Sequence, residues 1–154
     1  MAYLHERAPL GKDMEKMLRL LSLISCLLAT PVNSSIGTIA EHKGSSTIQR
    51  EAEKYNGEVG LGLEMNDKVV TGKGSLRMDF LDDTRVDVTE HSRMTIDEFI
   101  YDPNSGTGSL SMKATLGAVR YASGQIAKNS RQRVNIRTPS ATINVRGTDF
   151  MMIV

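Results

Sequence analysis

The chain has 154 residues, a net charge of +1, 40% hydrophobic content and no Trp. That length supports one domain with a real core, and so small a net charge predicts nothing about nucleic acid or membranes. The only cysteine is Cys26, which excludes an intrachain disulfide.

The chain opens on a leader. Leu20 to Val32 is almost wholly apolar, broken by Ser22, Ser25, Thr30 and Pro31, and it follows Lys12, Lys16 and Arg19. The run is shorter than the roughly 20 residues of a spanning helix. Its leucines and isoleucine go round the helix instead of keeping to one face, unlike a surface helix. With small or compatible residues at Val32-Asn33-Ser34, residues 1–34 read as a helical secretory signal peptide cleaved near Ser34. His5, Glu6, Arg7, Pro9 and Asp13 suit a signal's first region poorly, so Met14 is the expected true start. Leu23-Ile24-Ser25-Cys26 resembles a lipobox, but the apolar run continues past Cys26, which argues against lipidation.

From residue 35 to 154 the pattern is that of a single all-β domain, an antiparallel β-sandwich or β-roll. Ile36 to His42 is a first strand, Gly44-Ser45-Ser46 a turn, and Thr47 to Tyr55 a second strand. Asn56-Gly57 is the strongest hairpin dipeptide, because both residues accept positive φ. Val59, Leu61 and Leu63 alternate, and Asn66-Asp67 turns into a strand through Val70. Leu76, Met78 and Phe80, the Asp82-Asp83 turn, then Val86 and Val88 predict a hairpin with one wet and one dry face. Met94, Ile96, Phe99 and Tyr101 continue the meander. A long turn at Asp102–Gly108 leads to Leu110, Met112 and Leu116, then to Ala118–Tyr121 and a turn at Ser123-Gly124. Ile126 precedes a polar loop, Lys128 to Arg133. The closing stretch reads as two short strands broken by Pro139, which cannot donate to a ladder, then a turn at Gly147 and a third strand.

Charge divides along the domain. Residues 35–102 carry 8 Lys/Arg against 14 Asp/Glu, and residues 103–154 carry 7 against 1. Complementary rows on adjacent strands are the favoured account of this split. A basic patch built from Lys113, Arg120, Lys128, Arg131, Arg133, Arg137 and Arg146 is the other account. Only Tyr121 interleaves with those residues, a poor stacking platform for single-stranded nucleic acid.

No catalytic or metal pattern emerges. His5, His42 and His91 lie far apart, and no His/Cys cluster has ligand spacing. The twelfth position counted from Asp102 is Lys113, where a calcium loop needs an acid. Gly72-Lys73-Gly74 lacks the P-loop spacing. Asp82-Asp83 and Asp97-Glu98 are adjacent pairs whose members face opposite ways in a strand. The expectation is a protein that is not an enzyme and holds no cofactor.

Five segments in order resemble the FecR domain family over about residues 57–154: Asn66–Gly72, Ser75–Thr84, Thr95–Pro103, Gly117–Tyr121 and Thr138–Phe150. The most specific parts are Ile96–Pro103 and the ending, Thr138-Pro139 followed by Arg146-Gly147-Thr148-Asp149-Phe150, to which a structural job is assigned. The resemblance implies an exported all-β module like the periplasmic part of iron-uptake regulators. Those regulators take a signal from a TonB-dependent transporter and pass it to a sigma factor. Sigma-factor control does not transfer here, because no cytoplasmic anti-sigma segment or full membrane span precedes the domain, and because many relatives continue with strands beyond the position of Val154. The expected function is binding or sensing in the cell envelope. The expected partner is another envelope or surface protein, with no nucleic acid and with membrane contact only through the leader. Arg137, Asn144 and Arg146 are the candidate interaction residues. The alternative is a structural module of a phage virion or surface adhesin.

Overall fold

The computed structural model describes residues 35–130 and 133–154. The signal peptide, the Met14 start and Cys26 lie outside the described residues, as does Arg131. The strands are β1 (Gly37–Arg50), β2 (Glu53–Asn56), β3 (Gly62–Leu63), β4 (Lys68–Phe80), β5 (Arg85–Val88), β6 (Arg93–Asp102), β7 (Thr107–Leu116), β8 (Ala118–Ala122), β9 (Val134–Arg137), β10 (Thr142–Val145) and β11 (Phe150–Ile153). The one helix among the described residues, α1, is Gln125–Asn129. It is far too short to cross a membrane.

The all-β expectation holds, but the architecture is a curled mixed sheet, a half-barrel. Its order is β10-β9-β7-β6-β4-β5-β8-β11, with β1 beside β4, and β2 and β3 beside β1. Two features depart from an antiparallel sandwich. Strands β7 and β9 are parallel, because β8 and α1 together form a connection long enough to return the chain in the same direction. And the sheet is continuous, because β4 spans both arms. Its start, Lys68–Val70, pairs with β6, and its end, Leu76–Asp79, pairs with β5.

The core follows the period-2 alternation. Leu76, Met78 and Phe80 of β4, Val86 and Val88 of β5, and Val119 and Tyr121 of β8 are buried from one arm. Val69, Met94, Ile96, Phe99, Leu110, Met112, Val134 and Ile136 are buried from the other. Phe99 is out of phase with Ile96, and a bulge between Ile96 and Glu98 restores its inward direction. A second bulge, after Arg93, turns Leu116 outward, where it is 51% exposed, so the inward alternation of β7 ends at Ala114. Burial pushes the Tyr121 phenol up to about 12, so the ring enters the core neutral.

Two turns fall elsewhere than the dipeptides suggest. Gly44-Ser45-Ser46 is no reversal: β1 runs through it with a register shift against β4. Gly44 does take a positive φ of 75°, but here the conformation serves a bulge. The reversal comes later, at Glu51-Ala52, with Glu51 at φ 51°. Asn56 ends β2, and the Gly57 N–H continues the ladder by donating to the Ser46 carbonyl at 3.0 Å. Gly57 is needed for closeness, since a Cβ there would lie 1.9 Å from Ser46 Oγ.

The predicted polar loop after Ile126 begins as α1. Buried Asp82 holds it: its carbonyl accepts the Gln125 N–H at 2.6 Å, and its carboxylate accepts the Ile126 N–H at 3.2 Å and the Thr84 hydroxyl at 2.7 Å. These bonds satisfy orphan helix donors and set Ile126 in the core.

Candidate functional site

The closing strands carry every candidate residue. Thr138-Pro139-Ser140-Ala141 makes the β9–β10 hairpin. The Thr138 N–H donates to the Ala141 carbonyl at 2.8 Å, and Thr138 Oγ1 accepts the Ala141 N–H at 3.0 Å. A hydroxyl thus substitutes for a backbone acceptor, and Pro139 sits exposed where its missing N–H costs nothing. Beyond β10 the chain crosses to the opposite end of the sheet. Gly147 turns it at φ 62°. The Thr148 carbonyl accepts the Ser123 hydroxyl at 2.7 Å, and Asp149 Oδ1 accepts the Ser123 N–H at 2.8 Å. Both bonds fasten the crossover to the end of β8. Phe150 then packs half-buried on the core, its ring centroid 5.5 Å from that of Tyr121. Arg146 is exposed, and its carbonyl accepts the Thr148 hydroxyl at 3.3 Å.

A Cβ at Gly147 would meet only the Ala127 carbonyl, at 3.9 Å. The position therefore demands positive φ, not space. Gly147→Val is expected to cost about 1–3 kcal/mol, because a β-branched residue resists this conformation. Arg137→Ala is expected to cost no more than about 1 kcal/mol, as for an exposed ion pair. Thermal melts of the two variants check this: Gly147→Val melts lower, and equal midpoints would refute the ranking.

Arg137 and Asn144 share the outer face of their hairpin, opposite Thr142 and Asn135 respectively. A row in register crosses this arm: Lys68, Thr95, Lys113, Arg137, Thr142. Lys113 and Arg137 are direct neighbours, an arrangement that costs stability unless a counter-charge intervenes. Arg137 has one in Asp97, 2.7 Å away, whereas Lys113 makes no ion pair among the described residues. The other arm is complementary instead. Its outer row reads Glu41, Arg77, Asp87, Arg120, Met151. Arg77 bonds both Glu41 and Asp87, and the Asp87 hydrogen bond leads the causes that raise its pKa. Charges thus alternate in one arm, but its ion pairs lie within residues 35–102; among the described residues the one ion pair that joins the acidic and basic halves is Asp97–Arg137, in the arm that bears the basic row.

No group of three His, Cys, Asp or Glu among the described residues could hold a metal ion. The clefts are surface features with mixed linings, such as one bounded by Glu41, Lys43, Ser75, Arg77 and Asp87. One polar cluster went unread in the sequence, that of Arg50 and Asp67. The fully buried Asp67 carboxylate accepts from Arg50 Nε and a terminal Arg50 nitrogen, each at 2.8 Å, and from the Glu64 N–H at 2.9 Å. Arg50 also donates to Glu64 Oε1 at 2.5 Å and to the Gly62 carbonyl at 2.8 Å, and lies 5.3 Å from the Tyr55 ring centroid. The cluster is a structural clamp closed on itself.

No curated protein and no solved structure matches the chain. The family model described as FecR protein matches residues 67–154, from the turn before β4 through β11. That span is more than half the chain and holds four of the five resembling segments whole and nearly all of the fifth, the hairpin and the Ser123-fastened crossover included, so the chain belongs to the FecR family.

Proposed function

We propose that this protein is an exported, non-enzymatic binding or sensing module of the cell envelope, akin to the periplasmic part of iron-uptake signalling regulators. The family match over residues 67–154 carries the reading. In this reading the leader, residues 1–34, directs export and is cleaved near Ser34. The geometry of the closing strands supports a division of labour. Thr138, Pro139, Gly147, Thr148, Asp149 and Phe150 are occupied in shaping the hairpin and fastening the crossover. Arg137 and Asn144 face solvent on the arm that bears the basic row. A row of Lys68, Lys113 and Arg137 suits an acidic surface on an envelope protein, because the like charges it holds apart are relieved by a partner's carboxylates.

Capture from envelope extract on the immobilised protein tests the binding claim. The native protein is expected to retain a partner, and Lys113→Glu/Arg137→Glu to retain at least about tenfold less, as removal of rim charges facing an acidic patch implies. A protein that retains nothing refutes the claim, and retained capsid or tail proteins point to a virion module instead. Mass spectrometry of the product tests export: an N-terminus near residue 35 is expected, and Met1 or Met14 kept on a soluble cytosolic chain refutes it.

A further inference from the structure

The basic row extends beyond the closing strands. Gln49 of β1 stands opposite Lys68 in register, and Lys54 of β2 stands opposite Gln49. The outer row therefore runs Lys54, Gln49, Lys68, Thr95, Lys113, Arg137. Lys54, Lys68 and Lys113 occupy alternate strands, with the uncharged hydrogen-bonding side chains of Gln49 and Thr95 between them. Neighbouring strands lie about 4.8 Å apart, so these three cations repeat about every 10 Å along the row.

None of the three makes an ion pair among the described residues. The acids close to them in the chain are committed elsewhere. Asp67 is held by Arg50, and Glu53 accepts the Tyr55 hydroxyl. Asp97 pairs with Arg137, and Glu98 accepts the Ser109 hydroxyl. Glu51 lies beside the row, in the turn from β1 to β2. An open cleft bounded by Gln49, Glu51, Asn66, Lys68 and Thr95 lies over the middle of the row.

The repeat discriminates between forms of a partner chain. An extended strand presents same-face side chains about every 6.7 Å, out of step with it. An α-helix returns to one face after seven residues, about 10.5 Å, but it is a straight rod, whereas the row wraps the outer face of a curled sheet. A polyproline II segment rises about 3.1 Å per residue with three residues per turn, so every third side chain recurs at about 9.3 Å. It has no internal hydrogen bonds, so it can bend with the sheet, and its backbone groups are left free for Gln49 and Thr95.

We propose, resting on the binding role above, that this face takes an extended acidic segment of a partner protein in polyproline II form, with a carboxylate at every third residue. Three carboxylates meet Lys54, Lys68 and Lys113 in turn, and the segment crosses the strands instead of adding to an edge. The flexible lysine stems absorb the small difference between the two repeats. The row holds no aromatic or large apolar anchor, so charge carries the contact and salt weakens it.

Titration of the full chain with synthetic peptides tests this. One peptide carries three glutamates at every third position among serines and prolines. A second, of the same composition, carries them at every second position. The first is expected to bind at least about fivefold tighter, the worth of one exposed ion pair, and to weaken several-fold as salt is raised to about 1 M. Lys54→Gln and Lys113→Gln are each expected to cost it about fivefold. Lys43→Gln, which removes an exposed lysine of β1 outside the row, is expected to cost nothing. Equal affinity for the two spacings overturns the proposal. So does an equal loss in Lys43→Gln, which would make the contact one of net charge, and so does tighter binding of a charge-matched single-stranded oligonucleotide. An envelope partner retained by a protein indifferent to spacing overturns this proposal alone and leaves the binding role standing, whereas no retained partner overturns both.

Discussion

Arg50→Met is expected to destabilise the domain by about 3 kcal/mol, the usual cost of breaking a buried ion pair from one side. Asp67 is fully buried, and two of its hydrogen bonds come from Arg50. Without that guanidinium the carboxylate has only the Glu64 N–H and the shielding of the turn. Arg50 is also the bolt between four pieces of chain: the end of β1, Tyr55 of β2, the Gly62 carbonyl of β3, and the turn before β4. The Asp67 hydrogen bond is the first cause holding the Arg50 pKa above its ordinary value, so the pair stays charged on this side at any working pH. Arg50→Lys keeps the charge and loses the planar fork, and should recover only part of the stability. The double variant Arg50→Met/Asp67→Asn should lose less than the two single losses summed, because no buried charge is left alone. Thermal unfolding reads all four proteins, with Arg50→Met lower by roughly 10 °C for a domain of this size. Strict additivity, or a change of only a degree or two in Arg50→Met, would show the clamp to be a solvated surface pair.

The clamp also shows where the amino-acid order falls silent. Residues 50 and 67 lie in different elements, and no period links them. What could be read was local. The β4–β5 hairpin was legible because Leu76, Met78 and Phe80 and then Val86 and Val88 alternate around Asp82-Asp83, and Asp83 adopts the positive φ of 64° that such a turn needs. The closing strands were legible for the same reason, with Pro139 and Gly147 as punctuation. The bulges were not, since a one-residue insertion looks like a lapse in the pattern until its partner strand is known. Leu116 faces solvent on that account, against the alternation that holds through Ala114. The helix α1 spans only five residues, too few to show a helical period, and its anchor is Asp82, far back in the chain. In the candidate site, the individual residues were legible but their grouping was not. Arg137 sits beside Lys113 and Asp97 because β9 runs parallel to β7, and the intervening β8 and α1 hide that pairing from any local pattern.

Gly74→Ala is expected to cost more than about 3 kcal/mol, through overpacking of backbone against backbone added to conformational strain. Gly44 and Gly74 face each other in the β1–β4 register, next to the shift at which the ladder resumes with Ser46 and Thr71. A Cβ on Gly74 would lie 1.9 Å from the Lys43 carbonyl oxygen and 2.8 Å from Gly44 Cα, and one on Gly44 would lie 1.9 Å from the Lys73 oxygen. Neither neighbour is a side-chain tip that can swing aside. Relief requires the two longest strands to separate where β4 passes from one arm of the sheet to the other. Positive φ alone would be a smaller matter, and Gly60 isolates it. Its φ is 90°, and nothing lies within 4 Å of its Cβ position. Gly60→Ala should therefore cost only about 1 kcal/mol, the strain by itself. Denaturant unfolding of the two variants separates closeness from conformation, and comparable midpoints would mean that β1 and β4 can part at little cost. If the contrast holds, the paired glycines fix the passage of β4 between the arms. The basic row on one arm and the alternating row Glu41, Arg77, Asp87, Arg120 on the other then owe their positions to a crossing that tolerates no side chain.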